Sequence, residues 1–123
     1  MLIDSNIIIY AAQPEHEALR QLIAEKAPAV SAVSYVEVLG YHSLTPQDKR
    51  FFQDFFDAAT ILSISQDVLE QAVKLRQIRK MTLGDSLIAG TALFHGLTLI
   101  TKNTSDFDWI ASLSLLNPFS PTL

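Results

Sequence analysis

The sequence contains no cysteine. Its absence excludes a disulfide framework, a thiolate zinc site and a cysteine nucleophile, and it is compatible with a reducing cytoplasm. Basic residues are also few: nine Lys and Arg stand against thirteen Asp and Glu, which gives a formal net charge of −4 and a pI near 5.2. The chain therefore lacks the basic charge that is usual in nucleic-acid-binding domains.

Long apolar runs are absent as well. The longest run without Lys, Arg, Asp or Glu extends from Ser86 to Thr101 and is interrupted by Gly96, so it is too short to span a bilayer. The N-terminus carries Asp4 inside its first apolar stretch and has no basic n-region, unlike a signal peptide. We expect a soluble, cytoplasmic protein that has no membrane partner.

The alternation of short apolar runs with segments of helical periodicity indicates the fold class. It predicts an α/β fold with a mainly parallel central sheet and helices on both faces. A chain of 123 residues is long enough for one core and too short for two, so 1–123 is interpreted as one domain. We expect strands at 2–4, 29–32, 60–64, 97–101 and 113–116, and helices at 6–12, 15–25, 34–41, from 45 onwards, 65–81 and 83–94.

Aromatic side chains are concentrated in the helix that begins at Thr45 and Pro46. They form a stripe at helical spacing, made of Phe51, Phe52, Phe55 and Phe56. Such a stripe packs in a core or between two copies of a chain. The hydrophobic fraction of 49% and the mean hydropathy of +0.24 also favour apolar surface kept for a partner. We therefore expect a homodimer.

Four acidic residues each stand where an apolar run gives way to a helix or turn; they are Asp4, Glu37, Asp85 and Asp106. A carboxylate among apolar neighbours is unfavourable unless something positive meets it. The carboxyl ends of parallel strands lie along one edge of the sheet, where open α/β sheets bind ligands. Carboxylate oxygens are hard ligands suited to Mg²⁺ or Mn²⁺. The pattern predicts a divalent metal site and phosphodiester chemistry.

Helix capping is the competing interpretation of these acids. Ser34 stands three residues before Glu37, and Thr82 three residues before Asp85, as in capping boxes. The other two acids are placed to cap the helix after the first strand and the turn after the fourth. Capping explains why each acid is tolerated, but not why the four come from segments that meet at one edge. The two roles are compatible.

Positive charge is unevenly distributed along the chain. The basic residues that stand near the acidic segments are Lys74, Arg76, Arg79, Lys80 and Lys102. At helical spacing, Arg76, Arg79 and Lys80 share one face. A solvated helix face is the simplest interpretation of each residue, whereas the group is predicted to hold phosphates beside an acidic pocket.

Four segments carry a family resemblance. LIDSNIIIY and SYVEVLGY resemble the opening strand and the central glutamate of PIN-domain ribonucleases of the VapC toxin type. LGDSLIAGTAL resembles the Asp-x-x-Ile-Ala helix of that family, and TLITKNTSDF with SLLNP resembles its last strands and acidic turn. The motifs run in order over nearly the whole chain.

This resemblance implies a metal-dependent endoribonuclease that is the toxin of a toxin–antitoxin pair, with RNA as substrate and a cognate antitoxin as partner. The implied ligands of one or two Mg²⁺ or Mn²⁺ ions are Asp4, Glu37, Asp85 and Asp106. Water would attack in line and leave a 5′-phosphate and a 3′-hydroxyl. The implied supporting residues are Ser5, Asn6, Thr101 and Asn103, and the implied RNA-binding residues are Arg76, Arg79, Lys80 and Lys102.

One position departs from the family pattern. Asn103 stands where many relatives have an acid. The fourth ligand is then Asp106 alone, or a second metal binds only together with RNA. The number of metal ions stays open.

Two other classes of protein share features with this sequence. A phosphoreceiver signalling domain has acids at strand ends and a late Thr and Lys like Thr101 and Lys102, but it needs a paired acid after its first strand. Here Asp4 stands alone, and the segment TILSIS ends without an acceptor aspartate. A non-catalytic interaction module with the same fold is the other class, and the presence of all four acids argues against it.

Overall fold

A single parallel sheet organises the chain, and the computed structural model describes residues 1–119. The strands are β1 (Leu2–Ile3), β2 (Ala29–Ser31), β3 (Ile61–Leu62), β4 (Leu99–Ile100) and β5 (Leu115–Leu116). Their order is β3-β2-β1-β4-β5, and each neighbouring pair is parallel. The predicted α/β class is confirmed, and the described sheet is entirely parallel rather than mainly so. Phosphoreceiver domains have the different order 2-1-3-4-5.

Within residues 1–119, six α-helices connect the strands. They are α1 (Ser5–Ala11), α2 (Glu17–Lys26), α3 (Ala32–Leu39), α4 (Pro46–Ala58), α5 (Gln66–Ile78) and α6 (Leu83–His95). Thr45, Ser65 and Thr82 begin the last three, because each hydroxyl accepts a hydrogen bond from the backbone N–H three residues later. Gly96 ends α6 at φ 64°, a left-handed conformation that glycine adopts without strain. A one-turn 3-10 helix, Thr104–Asp106, follows β4.

Helices cover both faces of the sheet, as the sequence predicts. Successive strand residues point to opposite faces, so Ile3 packs with residues of α1, α3 and α4, whereas Leu2 packs with residues of α5 and α6. Both side chains are fully buried. A sheet covered on both faces explains why the strands are almost entirely apolar.

The two helices of the second face lie close together. A Cβ built on Gly90 of α6 would come within 2.9 Å of the Val68 carbonyl oxygen of α5. The small side chains of Ala89 and Ala92 are buried beside it. Small residues therefore let α6, which carries Asp85, pack against α5.

Three helix predictions were wrong in detail. α3 begins at Ala32 with Ser31 as its N-cap, so Ser34 lies inside the helix and is not the expected cap. α5 ends at the exposed Ile78, three residues before the predicted end at residue 81. Arg79 has extended backbone dihedrals, φ −154° and ψ 147°, so Arg79 and Lys80 do not continue the helical face of Arg76. The chain leaves the helix there to reach the cap of α6.

The strands and the phenylalanine stripe also differ from expectation. Each strand has only two or three paired residues, so the predicted strands were too long. The rest of each apolar run lies outside the paired segment. Phe52 and Phe56 are buried in the core, and Phe51 and Phe55 are half-buried against it. The stripe therefore serves mainly the core. Among residues 1–119, no helix combines the length and the apolar character needed to cross a membrane.

Candidate active site at the carboxyl edge of the sheet

The four predicted acids come from four different elements at one edge of the sheet. Asp4 directly follows β1, and Glu37 lies in α3, which follows β2. Asp85 is in the first turn of α6, and Asp106 ends the 3-10 helix after β4. β1 and β4 are neighbours although the chain has gone through β2 and β3 between them, so this edge is a topological switch point.

Asp4 is the most buried of these acids, with 5% of its surface exposed. Its Oδ1 accepts a hydrogen bond of 2.8 Å from the Ser5 backbone N–H, and its Oδ2 accepts one of 2.8 Å from the Thr101 hydroxyl. Asp4 is thus the N-cap of α1, as expected, and Thr101 ties it to the end of β4. Both donors are neutral, so they hold the carboxylate without neutralising it.

Burial and neighbouring acids raise the pKa of Asp4 to about 6. Desolvation is the largest cause, and repulsion from Asp85 and Glu37 adds to it. The hydrogen bonds from Thr101 and Ser5 act in the opposite direction because they stabilise the charged form. The net result is a carboxylate whose negative charge is not compensated within the site.

Asp85 lies within electrostatic reach of two further acids. Desolvation raises its pKa, and the charges of Asp106 and Glu37 raise it further, while the Thr82 hydroxyl lowers it. The Thr82 hydroxyl also accepts a hydrogen bond of 3.1 Å from the Asp85 N–H, so the predicted N-cap is present. Asp85 is therefore both a helix-capping position and a member of a mutually repelling group.

Glu37 is held by a neighbouring hydroxyl and a glycine. The Ser5 hydroxyl lies 2.7 Å from Glu37 Oε1 and 2.8 Å from the Ser34 hydroxyl. A Cβ added to Gly84 would come within 2.5 Å of Glu37 Oε2. The carboxylate thus lies between the start of α1 and the start of α6.

The donor set fits a hard divalent cation. Four carboxylates lie at this edge of the sheet. The buried Oδ1 of Asn6 has no hydrogen-bond partner in the described part of the chain. Such an amide oxygen is a neutral oxygen ligand for Mg²⁺ or Mn²⁺. Within residues 1–119, no three Asp, Glu or His side chains already converge closely enough to share one ion.

The supporting residues divide into two groups. Ser5 and Thr101 are buried and contact Glu37 and Asp4. Asn103 is exposed, and its backbone N–H donates to the Thr101 hydroxyl over 3.1 Å. Its contribution to the observed site is therefore made by its backbone.

Sequence reasoning missed the roles of Ser34 and Gly84. Ser34 stands three residues before Glu37, which is the spacing of a capping box. The spacing also places the two residues on one face of a helix, which is the signal that predicts a shared neighbour. Gly84 gives no signal in the sequence, because the space that its missing Cβ leaves is occupied by Glu37 of another helix.

The predicted RNA-binding residues are exposed and dispersed. Arg76 and Lys80 lie on the surface near the end of α5. The Arg79 guanidinium lies 5.5 Å from the centre of the Trp109 ring. Lys102 Nζ lies 4.6 Å from the centre of the Tyr10 ring. Two of the four cations thus each lie against an aromatic ring.

Comparison with known proteins assigns the family. The model of the PIN domain family matches residues 1–112. A search of curated proteins gave no significant match. The fold resembles a chain of a toxin–antitoxin complex from Klebsiella pneumoniae, with 32% sequence identity, a TM-score of 0.77 and coverage of 98% of both chains.

Two further structures share the fold at lower identity. One is VapBC2 from Rickettsia felis bound to a promoter DNA fragment, with 22% identity, a TM-score of 0.82 and coverage of 94% and 96% of the two chains. The other is VapBC-1 from nontypeable Haemophilus influenzae, with 24% identity, a TM-score of 0.74 and the same coverage. The resemblance seen in the sequence motifs is confirmed. The chain belongs to the PIN domain family, a family of nucleases, and its fold is that of the VapC type.

Proposed function

We propose that this protein is a metal-dependent endoribonuclease that acts in the cytoplasm as the toxin of a toxin–antitoxin pair. The observation that carries the proposal is the acidic edge. Asp85 is repelled by Asp106 and Glu37, and Asp4 is repelled by Asp85 and Glu37, so four carboxylates from four elements act on one another. A fold does not retain such repulsion for stability, whereas a divalent cation would relieve it.

The residues that would hold the cation are Asp4, Glu37, Asp85 and Asp106, with the Asn6 amide oxygen as a neutral donor. When bound, Mg²⁺ or Mn²⁺ would polarise the scissile phosphate, offset its charge and lower the pKa of the attacking water. In-line attack by water leaves a 5′-phosphate and a 3′-hydroxyl, and it needs no side-chain nucleophile.

Thr101 and Ser5 keep the acids in place before the substrate arrives. Thr101 orients Asp4 through Oδ2, while the Ser5 N–H holds Oδ1. The side chain of Ser5 reaches across to Glu37. Because these donors are buried and fixed, little reorganisation is needed when charge develops at the phosphate. Asp106 is exposed, and it completes the edge from the outer side.

A cleavage assay tests the proposal. The purified protein, freed of any partner, is incubated with total RNA in EDTA, Mg²⁺ or Mn²⁺, and the cut ends are mapped. We expect discrete cuts only with metal, carrying 5′-phosphate ends. Cleavage in EDTA, or 2′,3′-cyclic phosphate ends, would contradict the mechanism. Intact RNA under all three conditions would contradict the function and favour a non-catalytic PIN-fold module.

The positive charge of the surface limits how RNA is bound. Arg76, Arg79, Lys80 and Lys102 are the proposed phosphate contacts. Because they are few and dispersed, we expect a shallow salt dependence, with a log–log slope of about −1 to −3 on single-stranded RNA. Arg76→Ala combined with Arg79→Ala should weaken the binding of all RNAs to the same extent and leave the cut site unchanged. Filter binding between low and physiological salt measures the slope, and a steep slope would contradict this binding surface.

An apolar groove supports an antitoxin partner. It has a volume of about 390 Å³, and the residues that line it include Ile9 of α1, Val38 of α3, Phe52 of α4 and Tyr41, which lies in the loop after α3. Ile9 and Tyr41 are 45% and 57% exposed, and Glu37 directly precedes Val38. We propose that a segment of a cognate antitoxin fills this groove and brings a basic side chain to the acids. Ile9→Glu should abolish co-purification with a co-expressed antitoxin, whereas Ile61→Glu, outside the groove, should not.

A homodimer is the second partner proposal. The phenylalanine stripe lies against the core, but Leu69 and Val73, one turn apart on α5, are 41% and 55% exposed. These side chains offer apolar surface to a second copy. Light scattering at micromolar concentration should give a dimer, and Leu69→Glu combined with Val73→Glu should give a folded monomer. A monomeric wild-type protein would contradict the dimer.

A further inference from the structure

Glu37 is held in a way that its own helix cannot provide. It lies on an exposed part of α3, and a free glutamate has three rotatable side-chain bonds. Nevertheless, Oε1 lies 2.7 Å from the Ser5 hydroxyl, and Oε2 lies over Gly84 at the start of α6. Both oxygens are thus located by residues of other helices.

The hydrogen-bond chain has a fixed direction. The Ser5 hydroxyl has one proton and two oxygen neighbours, Glu37 Oε1 at 2.7 Å and the Ser34 hydroxyl at 2.8 Å. A carboxylate only accepts hydrogen bonds, so Ser5 donates its proton to Glu37. Ser34 must then donate to Ser5. This order polarises the Ser5 hydroxyl and strengthens its bond to the carboxylate.

Ser34 is suited to this position because it is fully buried. None of its surface is exposed, and it lies one turn before Glu37 on the same helix. A buried hydroxyl without a partner is costly, so its bond to Ser5 holds both serines in one arrangement. The start of α1 and the middle of α3 are thereby joined beside the site.

Gly84 limits Glu37 from the opposite side. A Cβ at this position would approach Glu37 Oε2 to 2.5 Å and its Cδ to 3.2 Å, so the end of the Glu37 side chain would have to move away. The φ of Gly84 is not positive, so the backbone itself accepts other residues. Glycine at this position leaves the space that the Glu37 carboxylate occupies.

We propose that Ser34 and Gly84 are positioning residues for Glu37, Ser34 through the Ser5 hydroxyl and Gly84 by leaving room for Oε2. Together they aim the carboxylate at the acidic edge, where it contributes to a divalent cation. This role rests on the proposed metal-dependent function. It predicts that the two residues affect metal affinity only while residue 37 is a glutamate.

The experiment is a double-mutant cycle read by Mn²⁺ titration calorimetry. The variants are Ser34→Ala, Glu37→Gln and the double variant, with Ser34→Thr as the conservative rescue. We expect Ser34→Ala to weaken Mn²⁺ binding about tenfold, as loss of a residue that orients a ligand does. Ser34→Thr should bind nearly as wild type. In the Glu37→Gln background, Ser34→Ala should have no further effect.

Controls separate positioning from stability. Thr91→Val removes another fully buried helical hydroxyl, which donates to the Leu87 carbonyl, and should leave Mn²⁺ affinity unchanged. Gly84→Ala should raise or preserve the melting temperature of the metal-free protein, since alanine favours helix over glycine. The same variant should weaken Mn²⁺ binding about as much as Ser34→Ala.

The outcomes are distinguishable. If wild type binds Mn²⁺ and cuts RNA but Ser34→Ala binds as wild type, the positioning role is wrong and the proposed function stands. An equal loss from Ser34→Ala in both backgrounds would show a structural role and would also overturn it, as would unchanged binding by Gly84→Ala. If wild type neither binds Mn²⁺ nor cuts RNA, both proposals fail.

Discussion

The starts of α4 and α6 are built in the same way, but their acids have different surroundings. Each helix has 13 residues and a threonine N-cap, and each cap accepts a hydrogen bond of 3.1 Å from the N–H of an aspartate three residues later. The pairs are Thr45 with Asp48 and Thr82 with Asp85. Their sequences, Thr-Pro-Gln-Asp and Thr-Leu-Gly-Asp, give the same local device.

The tertiary surroundings of the two aspartates differ. Asp48 lines the apolar groove between α1, α3 and α4. Asp85 is partly desolvated and repelled by Asp106 and Glu37, which raise its pKa. The comparison shows that capping geometry does not distinguish a structural acid from a member of a reactive site. The distinction lies in which other charges the fold brings near.

The largest expected difference between the two starts is in catalysis. Asp85→Asn should lower RNA cleavage by about 100-fold or more, because losing a charged ligand removes several kcal/mol of metal-dependent stabilisation. Asp48→Asn should cleave at the wild-type rate. Initial rates on a mapped RNA substrate at saturating Mn²⁺ measure both. Equal cleavage rates for the two variants would contradict a catalytic role for Asp85 that Asp48 does not share.

A second expected difference is in the pH dependence of stability, and it concerns Asp4. The folded-state pKa is about 6 and the unfolded value 3.8, so between these values the folded state binds more protons. Stability therefore falls as the pH rises through this window, by on the order of 3 kcal/mol at most for this group. Urea unfolding of metal-free protein at several pH values should show this fall.

Two variants isolate that pH effect. Asp4→Asn should remove the fall in stability between pH 4 and 7 that Asp4 contributes. Asp48→Asn should keep the wild-type profile, apart from an offset. A profile that Asp4→Asn leaves unaltered would show that Asp4 is not the group responsible.

The two threonine N-caps should contribute equally to the free energy of unfolding. Thr45→Ala and Thr82→Ala should each lose about 1 kcal/mol of unfolding free energy, the usual loss for a threonine N-cap. Only Thr82→Ala should also alter Mn²⁺ affinity, because the Thr82 hydroxyl stabilises the charged form of Asp85. Chemical denaturation and calorimetry test the two statements. A change of Mn²⁺ affinity in Thr45→Ala would show that the comparison is wrong.

The smallest expected effect is on the metal-free stability of the two aspartate variants. Asp48→Asn should lose a few tenths of a kcal/mol, because a negative charge near a helix N-terminus is favourable. Asp85→Asn loses the same interaction but also the repulsion from Asp106 and Glu37, so its stability should be unchanged or slightly higher. Thermal unfolding in EDTA measures both. A larger loss in Asp85→Asn than in Asp48→Asn would assign Asp85 a structural role.

Much of the fold could be predicted from local patterns. Thr45 with Pro46, Ser65, Thr82 and Gly96 mark helix ends through hydrogen bonds and backbone preferences of a few neighbouring residues. The helix ends that were predicted wrongly depend on contacts with residues distant in the sequence. Ser31 caps α3 instead of Ser34, whose hydroxyl is directed to Ser5, and α5 ends before Arg79.

The sequence pattern indicates the acids of the candidate site, but only some of the residues that hold these acids in place. Asp4 and Asp85 stand in recognisable contexts, a strand end and a capping box, so their positions at one edge follow from the parallel sheet. The hydroxyl of Ser34 and the space at Gly84 were not predicted, because their partner Glu37 is reached by packing α1, α3 and α6 together.

The alternation of helix and strand, the parallel sheet and the edge to which the acids belong follow from the order of the residues, because they depend on periodicity and on short-range capping. That Asp85 is near other carboxylates while Asp48 lines an apolar groove depends instead on how the elements pack together. The same packing places Oε1 and Oε2 of Glu37 beside Ser5 and Gly84. The reason is physical: desolvation and charge repulsion act through space between residues far apart in the chain, and no local pattern contains those distances.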